Sequence, residues 1–379
     1  MTNFPLLKLP DLALHEVMKM MMPIEIFKLA MCSFQLESFL RHRKYGMELF
    51  HIFLSNRVLQ FNLRHSDGYQ SISFKSTTSD SMGMPVRKLV QLSDRYTREY
   101  DQHIYLTHAN LDEMFDIHRI LCAISHLPFT EFVLYFDELR FDQILQLLHK
   151  VLKTEFTQLT FIGGTLSESL LTEVMNNVPT TKFLKVYSKM PLTFDHPNAL
   201  EYVFTKFEDA RWVKLEKLFT VQNVRHLTLE TTNFDCYDLN KFLRYWVDCD
   251  EFMLRRLEMK LKKGTVYDRE VITDQLTQVT YHQDGVPFIC MKSKKEAGYV
   301  LGRLELRESC VKFSTWDPSV QKAKQIKVLY ELLRILNRKR ELDKETDEIG
   351  RTTREVEVEL EELNKKLELI DRETFTFVV

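Results

Sequence analysis

The chain has 379 residues, 44% of them hydrophobic and 28% charged, which gives room for two or three domains and excludes wholesale disorder. Its 52 basic and 54 acidic residues leave a net charge of -2, so no global field draws it to nucleic acid or to a membrane surface. Ten glycines and ten prolines are few against an average of about 12% for the two together, which favours long elements and counts against glycine-loop nucleotide folds.

The six cysteines, Cys32, Cys122, Cys236, Cys249, Cys290 and Cys310, form no CxxC and no zinc-finger spacing. Reduced, mostly buried thiols are expected. The N-terminus lacks a basic segment followed by a long apolar one, and no stretch of 18 apolar residues occurs. The expectation is an intracellular protein, cytoplasmic or nuclear, with no membrane span.

In chain order, residues 9–40 read as a short helical unit. Leu9-Pro10 opens it and Asp11 suits a helix N-terminus. Leu14, Val17, Met18 and Met21 fall on one helical face, and Phe27, Ala30, Met31 and Phe34 repeat that spacing after Pro23. Leu9, Leu12, Met20, Ile24, Ile26 and Leu29 lie off those faces. Two apolar faces per helix have two explanations: one packs inside and the other meets a partner, or both pack within the chain.

The run LPDLALHEVMKMMMPIEIFKLAMCS resembles an F-box. Phe4-Pro5-Leu6-Leu7 and Pro23-Ile24-Glu25-Ile26-Phe27 are similar to the large nematode F-box B family, with a departure at Phe34-Gln35, where a basic residue is usual. The resemblance implies that residues 4–45 dock onto a Skp-family adaptor, and through it a cullin. It assigns that contact to Leu9, Pro10, Leu14, Val17, Ile26, Leu29 and Cys32.

Residues 46–125 form a mixed connecting region. Val58–Leu63 and Tyr69–Phe74 alternate like strands, with His65–Gly68 as a hairpin turn. Residues 75–85 read as a loop, and 110–125 as an amphipathic helix with Leu111, Met114, Ile117, Leu121 and Ile124 on one side. From residue 126, short apolar strings recur at intervals of roughly 20–30 residues: FVLYF, LTFIG, FLKVYS, YVFTKF, HLTLET and RLEMKL. Helical stretches such as FDQILQLLHKVLK, SESLLTEVMNNV and DLNKFLRYWV fill the gaps. An α/β fold follows, read as an irregular leucine-rich-repeat-like strand/helix solenoid over residues 126–317, with a single doubly wound sheet as the alternative.

The segment from Trp212 to Leu257 is similar to the type 2 F-box-associated domain of the same nematode family, with a departure at residues 248–253. Asp284-Gly285 and Val311–Asp317 resemble that domain's closing hairpin. The order F-box then associated domain implies a substrate-recognition subunit of an SCF (Skp–cullin–F-box) ubiquitin ligase, itself non-catalytic, which holds a protein substrate of unspecified identity.

Residues 320–372 carry 13 basic and 13 acidic groups, and Val328, Ile335, Leu342, Ile349, Val356, Leu363 and Ile370 recur every seven residues. This predicts a long charged helix. It either pairs as an intermolecular coiled coil, making a homo-oligomer through residues 328–370, or folds back as a hairpin. Basic residues crowd 322–340 and acidic ones 341–371, which suits antiparallel pairing.

No chemistry-bearing motif stands out. Histidines are scattered, HExxH and GxSxG are absent, Gly163-Gly164 lacks the rest of a phosphate loop, and Ser319–Lys322 lacks the companions of a serine hydrolase. No catalytic residue, metal site or cofactor is assigned, and basic patches interleaved with aromatics are absent. A scaffold that self-associates through its C-terminal coiled coil is the alternative function, and an enzyme with an unrecognised site the third.

Overall fold

The structure, a computed structural model, describes residues 8–43, 48–54, 58–65, 68–77, 101–107, 111–124, 130–135, 141–283, 286–320, 324–349, 354–368 and 375–378. The chain is a mixed α/β protein of two compact units that part between Lys189 and Met190.

The first unit begins with helices α1 (Asp11–Lys19), α2 (Pro23–Cys32) and α3 (Phe34–Arg43). Local chemistry starts and stops them as the sequence predicts. Proline in the first turn of α2 loses no intrahelical bond, and the Met22 N–H just before it donates to Glu25 Oε2 at 2.8 Å. At the entry to α3 the Gln35 N–H donates to Ser33 Oγ at 3.2 Å. Helices α2 and α3 pack against α4 (Leu111–Ile124), on which Ile117, Leu121 and Ile124 are buried.

Strands β1 (Glu48–Leu54), β2 (Val58–His65), β3 (Gly68–Thr77), β4 (Asp101–Thr107), β5 (Glu131–Tyr135), β6 (Gln158–Thr165) and β7 (Phe183–Lys189) lie in the order β7-β6-β5-β1-β2-β3-β4. The expected hairpin is present, with His65 opposite Gly68. The loop expected over residues 75–85 falls outside the described residues from 78 onward. Strands β5, β6 and β7 are parallel neighbours. Their connections are α5 (Phe141–Val151) and α6 (Glu168–Asn177), the latter capped by Ser167 Oγ accepting the Leu170 N–H at 3.3 Å. Buried Glu131 accepts from Gln158 Nε2 and Thr160 Oγ1, so this interior carboxylate is hydrogen-bonded rather than bare.

The second unit has strands β8 (Phe204–Asp209), β9 (Val224–Thr231), β10 (Leu254–Met259), β11 (Gln278–Gln283), β12 (Val286–Lys292), β13 (Leu301–Leu306), β14 (Val311–Trp316) and β15 (Phe375–Val378). Their order is β8-β9-β10-β14-β13-β12-β11-β15. Strands β8, β9 and β10 are parallel, joined through α7 (Leu215–Phe219) and α8 (Cys236–Asp248). After β10 comes one short helix, α9 (Arg269–Thr273), and the strand–helix alternation then ends. Strand β14 lies antiparallel to β10, and β11–β14 form an antiparallel meander that β15 extends along β11.

The period of two separates the faces of this sheet. Leu227, Leu229, Leu257, Met259 and Phe313 are buried on the side of α8, whose Trp246 meets Phe313 edge to face at 4.9 Å. The central alternate positions of β8, β9, β10 and β14 are polar. Lys206, Thr228, Glu258 and Lys312 lie in one register row, with Glu258 3.4 Å from Lys312, and Glu230 pairs with Lys206 at 3.0 Å.

Of the two readings of the charged C-terminal region, the fold-back hairpin is the one observed, as helices α10 (Lys324–Ile349) and α11 (Arg354–Glu368). They run antiparallel. Arg338 donates to both carboxylate oxygens of Glu359, at 2.8 and 3.1 Å, and Lys339 Nζ to Asn364 Oδ1 at 3.2 Å. The heptad residues Ile335, Leu342 and Leu363, with Leu332 and Leu367, are buried with Val279, Phe288, Cys290 and Leu301 of the sheet. The seam that would have made a homo-oligomer is therefore covered inside one chain. Covering it intramolecularly spares the loss of translational freedom that association carries.

The cysteines are unpaired, yet fewer are buried than expected. Cys236 and Cys290 are interior, Cys122, Cys249 and Cys310 are half-buried, and Cys32 is exposed.

Candidate functional site

Helix α1 carries two lines of side chains. Residues two apart are about 200° apart at 3.6 residues per turn, so the lines fall on opposite sides. Leu14 and Met18 are buried, whereas Leu12 and Met20 are 75% and 78% exposed. Helix α2 divides in the same way. Ile26, Phe27, Ala30 and Met31 face inward. Glu25 and Cys32 are exposed and Leu29 is half-buried, one face at i, i+4 and i+7. Met22, between the helices, and Phe34, at the start of α3, add further exposed apolar surface.

The seven residues first assigned to a partner contact thus separate. Pro10 and Cys32 are exposed, and Leu9, Val17 and Leu29 are half-buried at the rim. Leu14 and Ile26 are 2% and 1% exposed and support the surface from beneath. Phe34, placed by spacing on one face with buried Phe27 and Met31, is 75% exposed. Leu12 and Met20 stand out in the sequence as off-face apolar residues, but spacing alone does not say which face is covered. Elsewhere, exposed large apolar residues such as Leu192, Val266 and Val358 stand singly along the chain. Residues 12–34, from α1 to the start of α3, hold four, a concentration of exposed apolar surface not seen elsewhere among the described residues.

Among the described residues one thiol–imidazole pair stands within hydrogen-bond reach, and its environment works against catalysis. On α4, Cys122 Sγ lies 3.0 Å from His118 Nε2. Burial pushes the thiol up to about 12 and the imidazole down to about 4. A neutral thiol donating to a neutral imidazole is the reverse of an activated thiolate–imidazolium pair. The same burial has a stability consequence. The folded-state value of His118 lies below the unfolded 6.5, so the unfolded chain binds the extra proton first. Stability is expected to fall as pH drops from about 6.5 to about 4, by at most about 3 kcal/mol from this group. Urea midpoints measured across that range check it, and His118→Phe should flatten this part of the profile. An unchanged slope would contradict the assignment.

Among the described residues no group of three His, Cys, Asp or Glu side chains is arranged to hold a metal ion, and no helix is long and apolar enough to cross a membrane.

Comparison with known proteins agrees with the geometry of the helical unit. Residues 6–46 match the F-box domain. The chain is 23% identical to the Skn-1 dependent zygotic transcript 15 protein of Caenorhabditis elegans over 289 residues, covering 69% of this chain and 80% of that relative. No solved structure matches significantly. Residues 6–46 are an F-box domain, and the chain is a homologue of that nematode protein.

Proposed function

We propose that this F-box protein is a substrate-recognition subunit of an SCF-type ubiquitin ligase. Its F-box binds a Skp-family adaptor, and through it a cullin, while the region after the F-box holds a protein substrate. The observation that carries the reading is the exposed apolar surface of the F-box helices: Leu12 and Met20 stand in solvent, Pro10 and Cys32 are exposed, and Leu9, Val17 and Leu29 are half-buried. An apolar surface of this kind is stabilised by a partner that removes it from water. The strand–helix units on either side of Lys189 act as an irregular leucine-rich-repeat-like recognition region, in keeping with the resemblance of residues 212–317 to an F-box-associated domain. No group of this chain touches the ubiquitin that is transferred. Its contribution is effective concentration, since it tethers substrate lysines near the charged conjugating enzyme. The setting is intracellular, where such ligases and reduced cysteines belong.

Affinity purification of the full chain from cells is expected to recover a Skp-family adaptor, and Leu9→Ala with Pro10→Ala to reduce the yield. Failure of the intact chain to bind any such adaptor overturns the proposal. Self-association as a scaffold has no comparable support, because most apolar residues of α10 and α11, Leu332, Ile335, Leu342, Leu363 and Leu367 among them, are buried against their own sheet.

A further inference from the structure

In the second unit an open cleft of about 610 Å³ lies beyond the end of β12 and the start of β11, two antiparallel neighbours whose ends coincide. Helix α8 approaches it from one face of the sheet and α10 from the other. Seven of its lining residues are basic and three are acidic. This excess stands out in a chain whose net charge is -2.

Part of the charge is matched locally. Lys294 pairs with Asp248 at 2.8 Å, Arg334 with Glu331 at 2.9 Å, and Arg338 is held by Glu359. Arg244, Lys292, Arg340 and Lys344 make no ion pair among the described residues. Two of these four are fixed by neutral groups. Lys292, only 6% exposed, donates to the carbonyls of Ser293 and Lys295 at 2.9 and 3.1 Å. Arg340 donates to the Gln275 carbonyl at 2.8 Å. Carbonyls orient a cation without cancelling its charge, so the cleft is pre-organised and electropositive. Burial also lowers the pKa of Lys292, even though Glu296 and Glu341, also in the lining, pull it upward, so an anion entering the cleft would relieve a desolvated ammonium.

We propose that this cleft binds a carboxylate-rich segment of a protein substrate. The unmatched cations come from α8, β12 and α10, so a run of acidic side chains answers them better than one anion. Val247 and Leu276 between them offer apolar contact to the stems of such residues. The assignment rests on the reading that the region after the F-box holds the substrate.

The test is fluorescence anisotropy of the full chain with a labelled Asp/Glu-rich dodecapeptide and its Asn/Gln counterpart. The acidic peptide is expected to bind, to weaken as salt is raised, and to lose about tenfold in affinity in the Arg244→Gln, Lys344→Gln variant, within the range that two exposed ion pairs span. Both residues are exposed, and a melting curve verifies that the variant stays folded. Equal binding of the two peptides, salt-independent binding, or full affinity in the variant overturns the proposal. Adaptor capture by the same variant separates the two readings. Lost peptide binding with capture intact leaves the ligase role standing, and peptide binding without any adaptor capture leaves the cleft standing alone.

Discussion

A chain carrying Leu12→Asp and Met20→Lys is expected to lose about a thousandfold in affinity for a Skp-family adaptor, two central apolar contacts of about 2 kcal/mol each. The folded state should hardly change. Both side chains are more than 70% exposed, and substitutions at such positions usually stay within about 0.5 kcal/mol. The new charges also suit their places. An anion near the start of α1 and a cation at its end are each favoured by the helix dipole. Leu14→Ala is the contrasting variant. It deletes a buried side chain two residues from Leu12 and is expected to cost about 2–5 kcal/mol of stability, so its capture defect should come with a lowered Tm. Isothermal titration with purified adaptor, paired with thermal melting, reads both. Undiminished binding by the doubly charged variant would mean that the outer side of α1 is not the docking face.

The second large effect is structural. Trp246 is 1% exposed and wedged between Phe313 and the backbone of β13 at Gly302. A Cβ placed on Gly302 would stand 2.8 Å from Trp246 Cη2 and Cζ3 and from Phe313 Cε2. Neither ring can yield as a flexible side chain could. Trp246→Ala is expected to cost about 3–5 kcal/mol through the cavity it leaves, and Gly302→Ala about 3 kcal/mol, near the upper end for overpacking. Against a total stability of about 5–15 kcal/mol, either is severe. The two sites should also couple. In a Trp246→Leu background the ring that blocks the new methyl is gone, so Gly302→Ala should cost less than it does alone. Urea denaturation of the four chains completes the cycle, and strictly additive losses would contradict the packing described. Because this core lies far along the chain from the F-box, adaptor capture at low temperature should persist in any of these variants that still folds.

Much of this was legible locally. Proline at the start of α2, Ser167 before α6 and the strings LTFIG, FLKVYS and HLTLET announce their elements because capping and side-chain alternation are short-range physics. The Asp235–Asp238 capping box of α8 is another such signal, the Asp238 N–H donating to Asp235 Oδ1 at 3.0 Å. The F-box spacing likewise marks two apolar faces on α1 and α2.

What spacing does not carry is the identity of the covering surface. An apolar stripe every seven residues is the same signal whether its cover is a second chain or a sheet of the same chain. Strands β11–β13 supply that cover, so residues expected to join two molecules close one core instead. Strand β14 beside β10 and β15 beside β11 were equally illegible, since their pairing joins segments far apart in the chain. The basic cleft needs α8, β12 and α10 brought to one end of the sheet. Length, composition and periodicity by themselves pointed to a mixed α/β protein with a short N-terminal helical unit and a charged helical C-terminal region, and the resemblance of residues 4–45 added the F-box. Which apolar faces are buried and which remain for a partner was decided only by the tertiary structure, because burial is a property of two surfaces and a sequence writes down one at a time.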